Sequence, residues 1–478
     1  MFDPQHKPFA LLILDGWSVT GRQYDPINIA HTPVYDRVSK EFPGAFLSAP
    51  ESAEAGHLTL GAGRNIRTDA ERIANFIETG ELHGNKVIQT AFECVVSGDS
   101  SLHLVSLISN SNREASFETL VELIKTFKRH DVQNVYIHCI LDGKHSNPGT
   151  APQLIGALQN RLAEIGTGAI ASICGRFYAM DTGGNWERTA RAFTMLVHGD
   201  GEMISDPEAA VTKALARGIS EEFLAPMVVT DGRSQKQIVR SGDVVLFVNH
   251  RPVGLRQLSS SFLSAENGPR ATVLCLTDYD INSQVIFPKE EQANVLTQLI
   301  SAHDISTCRV TEQSRANHIT HLFDGGIHRS RTDEREFSIP SSNTGKHERS
   351  PEAGSFRIAD CVRRELKARP GFFIINFPAV DLATVTAKQQ DIIEAAQYVD
   401  TCLGGVLETL LDAGGTAIIT SSHGSENAES VPFYLVEADV RNVSLRETGS
   451  LQDVAPTILG LMGFEIPAEI TGTDLRLT

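Results

Sequence analysis

The chain has 478 residues, 41% of them hydrophobic and 21% charged, which is enough for two large domains or more with ample cores. A formal net charge of −17 argues against nucleic acid or an anionic membrane as partner, because the long-range field repels both. No apolar run is long enough to span a bilayer, and the polar start from Met1 to Pro8 lacks a charged-then-apolar signal pattern, so the cytoplasm is the expected location.

In chain order, apolar runs and helical periodicity alternate. A buried strand is expected over Phe9–Leu14, then one over Leu102–Ile108, a helix over Phe117–Phe127 and a strand over Val135–Leu141. A helix over Pro152–Ile165, a strand over Ile170–Cys174 and a helix over Trp186–Val197 follow. Strands are expected over Val244–Val248, Thr272–Leu276 and Phe372–Phe377, a helix over Asp391–Leu411, and strands over Ala417–Thr420 and Phe433–Val436. Such alternation predicts an α/β fold with parallel sheets. The polar stretch from Ile327 to Gly354 reads as a long loop with a strand fragment, a candidate flap. Cys94, Cys139, Cys174, Cys275, Cys308, Cys361 and Cys402 are scattered, odd in number and without a Cys-x-x-Cys pair. That pattern favours buried free thiols over disulfides or a zinc site.

Several chemically useful residues follow strand ends directly: Asp15 after Leu14, Asp142 after Leu141, and His423 just beyond Thr420. Open α/β sheets place ligands there. Asp15 stands in Leu11-Leu12-Ile13-Leu14-Asp15-Gly16-Trp17, and the next motif is Glu51-Ser52-Ala53-Glu54-Ala55-Gly56-His57, continuing to Gly61-Ala62-Gly63-Arg64. Further stretches are Leu141-Asp142-Gly143, Cys174-Gly175-Arg176-Phe177-Tyr178-Ala179-Met180-Asp181, Asn249-His250-Arg251 and Leu451-Gln452-Asp453-Val454-Ala455-Pro456. In this order, and over nearly the whole chain, they resemble the cofactor-independent phosphoglycerate mutases of the alkaline-phosphatase superfamily.

The resemblance implies an alkaline-phosphatase-like domain, residues 1–76 and 288–478, interrupted by an inserted α/β transferase-like domain, residues 77–287. It also implies a serine nucleophile where this chain has Ala53, and a methyl group cannot take up a phosphoryl group. The adjacent Ser52 is the weak substitute; its plainer role is a polar loop residue or helix cap. Of the family's two-metal cage, Asp15, Asp381 and His423 remain, while Val385 and Ser422 stand in ligand positions and Glu426 or Glu429 is the remaining acidic candidate. A two-carboxylate, one-histidine set is a workable site for one divalent ion, manganese or zinc; the alternative is no metal, and a full two-metal site is not expected. The family's anion clamp is reduced to Lys144, Arg176, Arg251 and Arg315, with Lys144-His145 a candidate polar pair. Arg176 and Arg251 serve equally well as interior ion-pair residues.

Three functions are therefore open. One is a diverged family member without mutase activity, retaining an anion-binding interdomain cleft, with a small anionic metabolite or a protein as partner and a binding, regulatory or structural role. The second is a repurposed single-metal or metal-free enzyme acting on a phosphorylated or carboxylated small molecule. The third is an ordinary manganese-dependent mutase.

Overall fold

The computed structural model describes residues 7–18, 25–50, 52–98, 100–112, 114–230, 237–264, 268–290, 292–327, 334–340, 351–369, 371–384, 388–424, 430–438 and 443–477. The chain divides into two compact units, Met1–Ile66 with Glu290–Thr478, and Arg67–Lys289. The crossing thus falls ahead of Phe76, where the sequence placed it. The reason is the helix Asp69–Glu78, which opens on a Thr68/Glu71 capping box and buries Ile73 in the core of the second unit.

Among the described residues each unit carries one eight-stranded sheet. In the first, the spatial order is Glu334–Ile339, Thr307–Glu312, Phe372–Phe377, Phe9–Leu14, Thr416–Thr420, Val431–Glu437, Gly44–Ser48 and Thr448–Ser450. The first five of these run parallel. Val431–Glu437 is antiparallel to both of its neighbours, so the sheet is mixed rather than purely parallel. Phe9–Leu14 is central and wholly buried, as a continuous apolar run requires when both faces are covered. Helices Pro351–Ala368 and Gln389–Asp412 contribute to the core on one face, and Val454–Met462 to the core on the other.

The second unit is ordered Gln284–Phe287, Thr272–Thr277, Val244–Phe247, Leu102–Ile108, Val135–Leu141, Ala169–Gly175, Met227–Val229 and Glu202–Ile204. All neighbours are parallel except Ala169–Gly175 with Met227–Val229. Amphipathic helices Phe117–Arg129, Ala151–Ile165 and Trp186–His198 bury their apolar stripes on this sheet.

The predicted strands all form, with ends shifted by a residue or two. In the first sheet, Gly44–Ser48, Thr307–Glu312 and Thr448–Ser450 lay outside the prediction, and Glu334–Ile339 was expected only as a fragment. Thr307–Glu312 carries Arg309 at its centre, 1% exposed and held by Asp324 at 2.8 Å and Glu334 at 3.0 Å, so its pattern is not apolar. Glu334–Ile339 is an edge strand with alternating exposure, the fragment expected within the polar stretch. Residues 328–333 and 341–350 of that stretch lie outside the described residues. All seven cysteines are free thiols, six of them buried. No described helix is long and apolar enough to cross a membrane.

Candidate functional site

In the first unit, four neighbouring parallel strands deliver side chains at their C-terminal ends. Asp15 follows Phe9–Leu14; Asp381 follows Phe372–Phe377 on the short helix Ala379–Thr384. Ser422 and His423 follow Thr416–Thr420, and Arg315 and His318 follow Thr307–Glu312. Gly16, at φ +80°, lets the chain turn under Asp381, whose N–H donates to the Asp15 carbonyl at 3.1 Å. A Cβ on Gly16 would come within 2.9 Å of the Asp381 nitrogen.

The remaining contributor is the helix Ala53–Ala62. Its N-cap is Ser52, exposed, whose Oγ accepts the Ala55 N–H at 3.2 Å. Ser52 is therefore a helix cap. Ala53 is the first helical residue. One turn later His57, fully buried, places Nε2 3.0 Å from Asp15 Oδ1 and 3.3 Å from Oδ2. The helix reaches this position because Gly56 lies against the Ser422 carbonyl, where a Cβ would overlap the oxygen. Gly56→Ala is expected to cost at least about 1–3 kcal/mol through overpacking, read as a lower urea midpoint; an unchanged midpoint would show that the backbone yields freely.

Each ligand candidate is bonded to another. Ser422 Oγ donates to Asp15 Oδ1 and lies 2.9 Å from His423 Nδ1. His423 Nε2 lies 3.2 Å from Asp381 Oδ1, and Arg315 Nη2 donates to Asp381 Oδ2 at 2.5 Å. The result is a continuous chain: His57, Asp15, Ser422, His423, Asp381, Arg315. Burial pushes the Asp15 carboxyl up, but His57, together with His423 and His318, outweighs it and holds the group well below the usual carboxylate range. Asp381 is likewise lowered against its burial, by the His423 hydrogen bond and Arg315. Burial alone would lower His423; Asp381 and Asp15 raise it above the ordinary histidine value. His318, whose ring meets that of His57 edge-on at 5.2 Å, is pushed down to about 3 by burial and by His57.

These residues do not fit a divalent cation. The oxygens of Asp15 and Asp381 accept from serine, histidine and arginine, both His423 nitrogens are engaged, and a guanidinium already supplies the positive charge at Asp381. The free nitrogens nearby, Nδ1 of His57 and of His318, are buried and belong to no carboxylate set. Among the described residues, no group of three or more His, Cys, Asp or Glu side chains is placed to hold a metal. The expected one-ion candidates Asp15, Asp381 and His423 are thus brought together in one hydrogen-bonded chain. Val385, Glu426 and Glu429 lie outside the described residues.

The second unit repeats the same logic on three adjacent parallel strands. Ser109 follows Leu102–Ile108, Asp142 follows Val135–Leu141, and Arg176 follows Ala169–Gly175. Arg176, 7% exposed, places Nη1 2.6 Å from both Asp142 Oδ1 and Glu114 Oε2. Ser109 Oγ donates to Asp142 Oδ2 at 2.7 Å, and the Lys144 and His145 amides donate to Asp142 Oδ1 at 3.3 and 3.2 Å. Arg176 is thus engaged in interior ion pairs with both carboxylates. Lys144 is exposed on the turn that its own amide helps to fix. Burial holds the His145 imidazole below its ordinary value. The Arg251 amide donates to the Glu114 carbonyl at 3.1 Å.

Burial raises the Asp142 carboxyl, but the Ser109 and Arg176 hydrogen bonds outweigh it and leave the group below its usual range. A carboxyl lowered in the folded state stabilises the fold above the unfolded value of about 3.9 and loses that contribution as pH falls through the folded value. Urea midpoints between pH 5 and 3 are therefore expected to fall less steeply for Asp142→Asn than for the natural chain. Parallel slopes would refute the assignment.

Sequence reading used His57 only as part of a motif and took Ser422 as a lost ligand; it did not single out His318, Ser109 or Glu114. Their common signal is position, since Ser109, His318 and Ser422 lie shortly beyond strand ends.

A family model for the BPG-independent PGAM N-terminus (iPGM_N) matches residues 73–281. The chain is 34% identical to the 2,3-bisphosphoglycerate-independent phosphoglycerate mutase of Desulforudis audaxviator, over 98% of this chain and 99% of that protein. Identity is 32% to the enzyme of the same name from Listeria monocytogenes serotype 4b, with 98% and 99% covered. Among solved structures, Leishmania mexicana phosphoglycerate mutase at low cobalt concentration matches with a TM-score of 0.83 at 20% identity, covering 100% of this chain and 98% of that one.

Proposed function

The chain belongs to the 2,3-bisphosphoglycerate-independent phosphoglycerate mutase family, and we propose that it is a member without mutase activity, acting by binding or as a structural or regulatory component. The observation that carries this reading is the joint change at the strand ends of the first unit. Ala53 stands in the nucleophile position, and the retained ligand residues bond to one another and to Arg315. Phosphoryl transfer through a covalent intermediate needs an ionisable hydroxyl and positive charge to offset the phosphate. Here the hydroxyl is absent and the local positive charge is spent on Asp381.

The second unit supports the same reading. Its best-placed guanidinium, Arg176, is neutralised by two carboxylates, so that cluster offers an incoming anion little net attraction. Lys144 and Arg251, both exposed, are the cations through which a small anionic metabolite would be held.

The test is a coupled assay for conversion of 3-phosphoglycerate to 2-phosphoglycerate, with and without manganese. Turnover at the level of the protein-free blank is expected, and manganese-dependent turnover would overturn the reading. A thermal-shift panel of phosphorylated and carboxylated metabolites then separates the roles, because a ligand that binds only the folded state raises the melting temperature by mass action. A metal-independent shift identifies metabolite binding; a flat panel points to a structural role or a protein partner.

A further inference from the structure

The three strands that end just before Ser109, Asp142 and Arg176 carry His103, His138 and Ser172, six, four and four residues earlier, in a second polar chain. Asp243 Oδ2 lies 3.3 Å from His103 Nε2, His103 Nδ1 lies 2.9 Å from His138 Nε2, and His138 Nδ1 lies 2.8 Å from Ser172 Oγ. All four residues are buried, Asp243 being the most exposed at 6%. The last link depends on a β-bulge. Ile137 pairs with Ile170 but His138 pairs with Ser172, so Ala171 is the extra residue and a hydroxyl, not a methyl, faces the imidazole.

The same sheet face continues with Val105, Leu107, Ile140 and Cys174, packed with Met195, Leu196 and Val197 of the helix Trp186–His198 and with Val239. The titratable groups on these surrounding elements are few. Tyr136 has its ring centre 5.4 Å from that of His103. Burial pushes the Cys174 and Cys275 thiols up to about 12. His198 and Arg240 are exposed; the Arg240 amide donates to Asp243 Oδ2 at 2.7 Å and the Ser101 amide to Asp243 Oδ1 at 2.8 Å.

The donor and acceptor inventory leaves two complete arrangements. With both imidazoles neutral, Ser172 O–H donates to His138 Nδ1, His138 Nε2–H to His103 Nδ1, and His103 Nε2–H to Asp243. With one proton more, His103 Nδ1–H donates to His138 Nε2 and His138 Nδ1–H donates to Ser172 Oγ, while His103 still donates to Asp243. We infer that Asp243, His103, His138 and Ser172 form a buried relay that takes up one solvent proton by reversing its hydrogen bonds, with none of the three lost. The balance is simple: a proton enters at Ser172, each link passes one along, and the charge comes to rest on His103 beside the Asp243 carboxylate. Burial and His103 hold His138 well below the ordinary histidine value, which keeps a second charge out.

The test is nitrogen NMR of the full chain labelled at histidine, followed from pH 8 downward while the protein remains folded, with His103→Gln and His138→Gln used to assign signals. One imidazolium is expected, at His103, and His138 is expected to change from the Nε2–H to the Nδ1–H tautomer in step with it. A fixed His138 tautomer, charge on both rings together, or no charge at His103 before unfolding would each overturn the relay. In Asp243→Asn, where the counter-charge is gone, proton affinity at His103 is expected to fall at least tenfold, and an unchanged titration would also overturn it.

Discussion

Restoring the missing hydroxyl by Ala53→Ser is expected to leave mutase turnover at background, with or without manganese. Position 53 is the first residue of its helix, one turn before His57, so a serine there is sterically admissible. The obstacle is activation. A hydroxyl at neutral pH is almost wholly protonated, and a bound dication can lower the pKa of an oxygen ligand by about 8 units, on the order of 10⁸ in the ionised fraction. Among the described residues of the first unit, no group substitutes for that effect. Asp15 is committed to His57 and Ser422, and Asp381 to His423 and Arg315. Combining Ala53→Ser with Ser422→Asp adds back one carboxylate but leaves Val385 in another ligand position. The coupled assay on both variants checks this. Manganese-dependent turnover in Ala53→Ser alone would mean that the hydrogen-bonded chain opens readily and that one substitution separates this protein from its catalytic relatives.

The largest effect on stability is expected for Arg176→Met, about 3–5 kcal/mol lost from the second unit. Arg176 offers one nitrogen to two carboxylates, each at 2.6 Å, and Asp142 has no solvent exposure of its own. Removing the guanidinium leaves two like charges buried close together, which costs more than the ion pairs contribute net. The variant Arg176→Met/Asp142→Asn/Glu114→Gln is expected to recover most of the loss, because the uncompensated charges go with their partner. Urea unfolding followed by a probe in the second unit reads both. A loss below about 1 kcal/mol in Arg176→Met, with weakened binding of a phosphorylated metabolite instead, would return Arg176 to the role of an anion clamp.

Much of this protein is legible without coordinates. Apolar runs such as Phe9–Leu14 and Phe372–Phe377 determine buried strands, because periodicity and hydrophobicity are local properties. The motifs in sequence order identify the family, and the motif around Gly56-His57 puts Ala53 where the family resemblance implies the nucleophile. The same resemblance leads one to expect a depleted inventory of ligands and arginines. What the tertiary structure decided is how the remaining groups are used. Ser422 and Asp15 are 407 residues apart, and they meet because Thr416–Thr420 pairs beside Phe9–Leu14. Arg309 is buried in a strand that no apolar pattern announces, because Asp324 and Glu334 neutralise it there. Ser172 faces His138 only because Ala171 bulges out of register. Residue identity sets which charges exist; strand order and register set which of them neutralise one another, and that pairing is a long-range property that no local pattern encodes.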